Sequence, residues 1–166
     1  LLVGSFLNVV IHRLPRMMEL RWAAERAELQ RDGGPDGAPG PAAAGERFNL
    51  MVPRSRCPKC GHQIRWYENI PVLSYLALRG RCSQCAHPIG LRYPMVELVC
   101  GALFAWCDWQ WGLGWESLAW AGFCAALLAL TGIDWDTTLL PDDITLPLLW
   151  AGLLMAALGV SQVGLA

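Results

Sequence analysis

The chain has 166 residues, 54% of them hydrophobic, with nine tryptophans and a positive mean hydropathy. That length suits one or two soluble domains, but a soluble protein spreads its apolar residues at helix or strand period, and here they gather at both ends. The net charge of −1 conceals a division: all 13 Lys and Arg lie between Arg13 and Arg92. Seven acidic residues fall between Glu19 and Glu68 and seven between Glu97 and Asp143, so the middle segment carries +6 and the remainder −7.

The first stretch, "LLVGSFLNVVI", is apolar but short. Eleven helical residues rise only about 16 Å, half of a ~30 Å hydrocarbon core. It has neither the charged start nor the small-residue cleavage site of a signal peptide. We read residues 1–12 as the end of a spanning helix whose beginning lies outside the sequence, and the chain, which stops in an apolar segment, as a fragment at both ends.

Residues 13–92 form the basic segment. Basic residues flanking spans stay on the cytoplasmic side, and Arg13, Arg16 and Arg92 flank this segment, which places it in the cytoplasm. Within it, "MMELRWAAERAELQR" (17–31) predicts a helix with Glu-to-Arg pairs at helical spacing. The run "DGGPDGAPGPAAAG" (32–45) holds no packing residues and predicts a flexible linker.

The cysteines follow. Cys57-x-x-Cys60 and Cys82-x-x-Cys85 stand 21 residues apart, within an internal repeat, "RCPKCGHQI" and "RCSQCAHPI", offset by 25. A two-residue gap lets both thiolates of a knuckle reach one ion, and two knuckles complete the four-sulfur tetrahedron that Zn²⁺ prefers. A reducing compartment disfavours the disulfide alternative. Four thiolates leave no open coordination position, so the zinc is structural and folds a zinc-ribbon-like insert with little core of its own. Gly61 suits the tight turn after the first knuckle, and His62 and His87 read as surface side chains. Cys100, Cys107 and Cys124, in apolar stretches, read as small buried residues. Arg54, Arg56, Lys59, Arg65, Trp66, Tyr67, Arg79 and Arg81 surround the knuckles. We read them as facing membrane lipid, with no nucleic-acid partner, because both flanks of the insert enter the bilayer.

Three apolar stretches end the chain: 95–115 leading outward to an aromatic, Gly-containing turn, 117–133 returning, and 145–160 leading out again. The fold class expected is an all-α polytopic membrane protein with a small cytoplasmic insert, residues 93–166 forming the transmembrane core. Asp134, Asp136, Asp142 and Asp143 then lie at the cytoplasmic seam between two helices. Turn chemistry accounts for Asp136 and Asp143, and Asp143 or Thr145 is placed to cap the following helix. Asp134 directly follows Gly132-Ile133 at a helix end, where desolvation raises a carboxyl pKa, and so is the candidate general acid or base. Aspartic proteolysis needs two carboxyls sharing a proton, and a partner from another helix fits better than a loop neighbour.

Four motifs in register, "GSFLNVVIHRLP" (4–15), "CPKCGHQIRWYENIPVLSYLALRGRCSQC" (57–85), "GLRYPMVEL" (90–98) and "IDWDTTLLPDDITLPLLW" (133–150), cover nearly the whole chain. They resemble the bacterial type IV prepilin peptidases, membrane aspartic endopeptidases that also N-methylate the residue they expose. The resemblance implies an inner-membrane enzyme that cuts the basic leader of prepilins or pseudopilins at the cytoplasmic face, with S-adenosylmethionine as methyl donor. It makes Asp134 the first catalytic aspartate and Asp142 a support of the loop. The family's second aspartate lies in a Gly-x-Gly-Asp motif that does not occur in this sequence. Two other classes predict different behaviour. A membrane-tethered zinc module would bind a partner or nucleic acid in a salt-dependent way, and a proton or ion translocator would ignore added peptide.

Overall fold

Helix formation follows the apolar stretches, but with longer elements than the sequence suggested. The computed structural model describes residues 2–32, 49–50, 52, 57, 59–61, 63, 72, 74–75 and 78–159. Four helices carry most of them: α1 (Leu2–Asp32), α2 (Arg92–Trp111), α3 (Trp115–Thr137) and α4 (Asp142–Ala157). Among the described residues there is no β-strand, and an isolated antiparallel bridge joins Arg81 to Pro88. The all-α expectation holds. The linker read at 32–45 lies, apart from Asp32, outside the described residues, as do His62, Arg54, Arg56, Arg65, Trp66 and Tyr67.

The separate stretches 1–12 and 17–31 are one helix. α1 runs through Pro15, whose missing N–H forgoes one backbone bond without ending the helix. The stretch read as 117–133 is longer in both directions, because Trp115 and Glu116 open α3 and Asp134 to Thr137 form its last turn. The Gly-containing turn expected after α2 is present: Gly112 has φ 70° and donates its N–H to Asp108 O. Asp143 and Thr145 do not cap α4. Pro141 holds that position with no side-chain bond, and the Thr145 hydroxyl turns back to Pro141 O at 3.3 Å and Asp142 Oδ1 at 3.4 Å.

α1, α2 and α3 pack together, and α4 leans on α3 with none of its own residues buried. The shared core takes Leu7, Val10, Ile11 and Leu14 from α1, the three- and four-residue spacing of one helix face. Cys100 comes from α2, and Ala125, Ala129 and Ile133 from α3. Small residues bring the backbones close. A Cβ on Gly4 would stand 2.7 Å from Glu97 Cα, and one on Gly132 would stand 2.7 Å from Ile11 Cδ1.

Polar groups are inside and large apolar ones outside. Ser5, Asn8, Glu97 and Ser117 are buried, whereas Phe6, Leu98, Trp109, Leu127, Leu149 and Leu154 are exposed. Each buried polar group for which a bond is resolved ties two segments together. Asn8 Nδ2 donates to Tyr93 O at 3.0 Å, Ser117 Oγ donates to Asp108, and Glu97 Oε2 accepts from Val72 N at 2.6 Å. Cys100 and Cys107 are buried as expected, while Cys124 is only partly covered. One helix, α3, is long and apolar enough to cross a membrane among the described residues.

The glycine contacts rank three substitutions. Gly4→Ala sets a methyl against backbone and should lower stability by about 1–3 kcal/mol. Gly132→Ala meets only the movable end of Ile11 and should cost less, and Gly122→Ala, with nothing within 4 Å, should be neutral within error. Thermal unfolding in detergent, followed by helical circular dichroism, checks the order.

Candidate functional site

The cysteine repeat becomes two similar knuckles. In the first, Gly61 donates its N–H to Cys57 O at 2.9 Å, and in the second Ala86 donates to Cys82 O at 3.1 Å. Both closing residues have positive φ, 70° at Gly61 and 53° at Ala86, a conformation that glycine adopts freely and alanine only under strain. A short hairpin carries the second knuckle. Ile89 N donates to Gly80 O at 2.7 Å and Cys82 N to His87 O at 2.9 Å. At its base Gly80 turns with φ 68° against the Tyr75 ring, where a Cβ would lie 2.6 Å from the ring carbon.

All four sulfurs lie within 4.8 Å of one another, with Cys57–Cys85 at 3.7 Å and Cys60–Cys82 at 4.0 Å, and none forms a disulfide. Sulfurs placed ~2.3 Å from a central zinc at the corners of a tetrahedron are roughly 3.8 Å apart, so this set fits the ion. The backbone prepares the thiolates in the same way in each knuckle. The N–H groups of Cys60 and then Lys59 lower the Cys57 thiol from 9.0 to about 6, and those of Cys85 and Gln84 lower Cys82. His87 is half-buried beside the knuckle and contributes its carbonyl to the hairpin.

The aspartates lie at the C-terminal end of α3 and the start of α4. Ile133 is fully buried against α1. The next residue, Asp134, is exposed. The Asp134 carbonyl accepts from Thr138 N at 2.8 Å, and Thr138, with φ 54°, ends the helix in the left-handed region. Asp136 is no turn residue. It sits in the last turn of α3, and its Oδ1 is 2.6 Å from Arg92 Nη1, while Arg92 Nη2 donates to Gly132 O at 3.2 Å. Asp143 meets Arg21 of α1 at 3.4 Å. Among the described residues no carboxylate is bonded to the Asp134 side chain.

A groove of about 360 Å³ runs beside this helix end, lined by Ile11, His12, Pro15, Arg16, Glu19, Asp136 and Thr137. Its lining holds the His12 imidazole but no Phe, Tyr, Trp or Gly, so nothing in it marks an adenosine site for S-adenosylmethionine. Sequence reasoning missed Arg92, Asn8 and Glu97. Each stood out as the last cation of the chain, the one amide of an apolar run, or the first of two acids in another.

Comparison with known proteins shows the family of the chain. Residues 1–111 match the bacterial peptidase A24 N-terminal domain, and residues 121–166 match the type IV leader peptidase family. The chain is 56% identical over 156 residues to a prepilin leader peptidase/N-methyltransferase of Burkholderia pseudomallei (strain K96243), covering 92% of this chain and 48% of that protein. It is 50% identical over 161 residues to one from Stutzerimonas stutzeri and 49% over 160 residues to one from Pseudomonas aeruginosa, each covering 96% of this chain and 53% of the relative. The chain thus spans about half the length of these curated relatives. No solved structure matches it.

Two predictions concern the knuckles. Zinc uptake by the metal-free protein displaces one proton for each thiol that is protonated. Cys57, lowered to about 6, adds its proton only below that pH. The fall in affinity with decreasing pH should therefore steepen below about pH 6, read by competition with a chelating dye. Ala86→Gly relieves the positive-φ strain and should stabilise the zinc-loaded module by about 1 kcal/mol, measured as a higher chelator or denaturant midpoint.

Proposed function

The chain belongs to the bacterial A24 family, the type IV leader peptidases, and on that premise we propose that it acts as a prepilin leader peptidase/N-methyltransferase of the inner membrane. The observation that carries the reading is the position of Asp134. It is an exposed carboxylate fixed in the last turn of the apolar helix α3, two residues from an acid already neutralised by Arg92.

The membrane placement rests on the surface. Trp115 and Trp135 are 82% and 85% exposed on α3. They stand twenty residues apart, roughly 30 Å along a helix, the thickness of a hydrocarbon core. Interfacial tryptophans at that separation put Asp134 level with the headgroups. The polar residues buried between helices and the leucines facing outward suit lipid better than water. All 13 basic residues precede α3, so the end of α3 that carries Asp134 faces the cytoplasm. α2, α3 and α4 then alternate across the bilayer, with residues 13–91 on the cytoplasmic side.

In this reading Asp134, ionised, takes a proton from water as the water attacks the scissile carbonyl, and a second, protonated carboxyl polarises that carbonyl. The second carboxyl is the aspartate of the family's Gly-x-Gly-Asp motif, which this sequence does not contain. The acidic end of α3 and the start of α4 attract the basic leader of a prepilin or pseudopilin. Asp142, which accepts from Thr145, holds the start of α4. Cys57, Cys60, Cys82 and Cys85 would hold a zinc that shapes the cytoplasmic insert and takes no part in the reaction. Methyl transfer is assigned to no residue of this chain.

The test uses the gene product, read from its own start to its own stop and placed in membranes with a precursor carrying a basic leader. Mass spectrometry should show loss of the leader with wild type. Asp134→Asn should cut the rate by roughly 10³-fold or more, as loss of one member of a catalytic set does. Undiminished cleavage by the variant would place the chemistry elsewhere. No cleavage by either protein, with salt-dependent binding of nucleic acid, would favour a zinc-dependent binding module.

A further inference from the structure

Arg92 grips the helix end that carries Asp134 from both sides. Its Nη1 lies 2.6 Å from Asp136 Oδ1 and its Nη2 lies 3.2 Å from Gly132 O. The two acceptors are two residues before and two residues after Asp134. The geometry points to Arg92 as a positioning residue for Asp134. This inference rests on the peptidase reading above.

α3 needs such a grip. Of its last four carbonyls Asp134 O takes the N–H of Thr138, and its last turn contains no basic residue. Arg92 brings from α2 the cation that a helix C-terminus favours, together with a further donor to Gly132 O just before that turn. The base of this arm is fixed. Arg92 opens α2, Met95 N donates to Leu91 O at 3.1 Å, and the carbonyl of the adjacent Tyr93 is held by Asn8 of α1 at 3.0 Å. The other titratable and charged groups near the helix end are His12, Arg16 and Glu19 of α1, which line the groove with Asp136. Asp142 and Asp143 open α4, where Asp143 meets Arg21.

Magnitudes decide between stability and placement. The Arg92 and Asp136 side chains are 46% and 32% exposed, and a pair this open contributes little to stability. Misplacing a reacting group by about 1 Å, however, can cost on the order of 10²-fold in rate. Arg92 therefore matters for where the carboxylate stands far more than for whether the protein folds. Lysine, a point charge on a flexible stem, can hold one of the two acceptors but not the fork.

The full-length protein in membranes gives two independent readouts. The first is kcat and KM for leader removal by wild type, Arg92→Lys, Arg92→Gln and Asp134→Asn. The second is hydrogen exchange at the Thr138 amide, which donates to Asp134 O. For Arg92→Gln we expect kcat to fall about 10- to 100-fold with KM within about two-fold, faster exchange at Thr138 and unchanged zinc content. Arg92→Lys should lie between Arg92→Gln and wild type in both readouts. Wild-type kcat in Arg92→Gln, or unchanged exchange at Thr138, overturns the inference. Should Asp134→Asn still cleave, the peptidase assignment of Asp134 fails by itself, and the exchange at Thr138 still decides whether Arg92 holds this helix end.

Discussion

Ile133 is the pivot of this structure. It is buried against Ile11 and its neighbours on α1, and Gly132 lets the two helices meet there without a side chain between them. A helix turns about 100° per residue, so fixing the direction of one residue fixes that of the next. With Ile133 turned inward, Asp134 must point out, and Asp136 and Thr137 come round to the groove beside α1. The position of a charged residue is thus set by an apolar contact. α3 also continues one turn past the point where its apolar character ends. Its last turn remains helical because it is held by neighbours: Thr138 N on Asp134 O, Thr137 Oγ1 on Ile133 O, and Arg92 from α2.

In the proposed membrane placement, the same helices pack where apolar side chains gain little by leaving their solvent. In lipid, the transfer of a leucine from outside to inside contributes almost nothing, and close backbone approach and interhelical hydrogen bonds take over. The interior here is built that way. Gly4 lies on Glu97, Gly132 lies on Ile11, and alanines at 121, 125 and 129 form a stripe at four-residue spacing. Asn8, Ser117 and Glu97 join segments far apart in sequence, Asn8 to Tyr93 and Glu97 to Val72. Glu97 Oε1 is buried without a hydrogen-bond partner among the described residues, so the α1–α2 contact keeps a polar group that a leucine core would exclude.

Much of this was legible in the sequence, for reasons that differ by region. The cysteine knuckles were readable because metal chemistry fixes ligand type and spacing within a few residues, and the four sulfurs are where that spacing put them. The helices were readable from their apolar runs. Their ends were not. The end of the first span was set near Arg13 from charge, and the helix itself continues through Pro15 to Asp32. The ion pair of Asp136 with Arg92 spans 44 residues. No local pattern announces such a contact. Turn-forming composition around Asp136 pointed to a loop because the contact that stabilises the last helical turn comes from another helix.

The two exposed tryptophans of α3 have a further consequence. A rigid rod moored at both water boundaries cannot slide along its own axis without pulling one indole into the hydrocarbon or pushing the other into water. The height of the carboxylate above the lipid tails is then dictated by the count of residues from Trp115, and no flexible segment intervenes. Bilayer thickness becomes a mechanical variable for such a rod. A thicker membrane draws its charged tip inward and straightens it, and a thinner one tilts it. In the proposed membrane placement, the lipid composition around this helix would set how deep in the interface Asp134 stands.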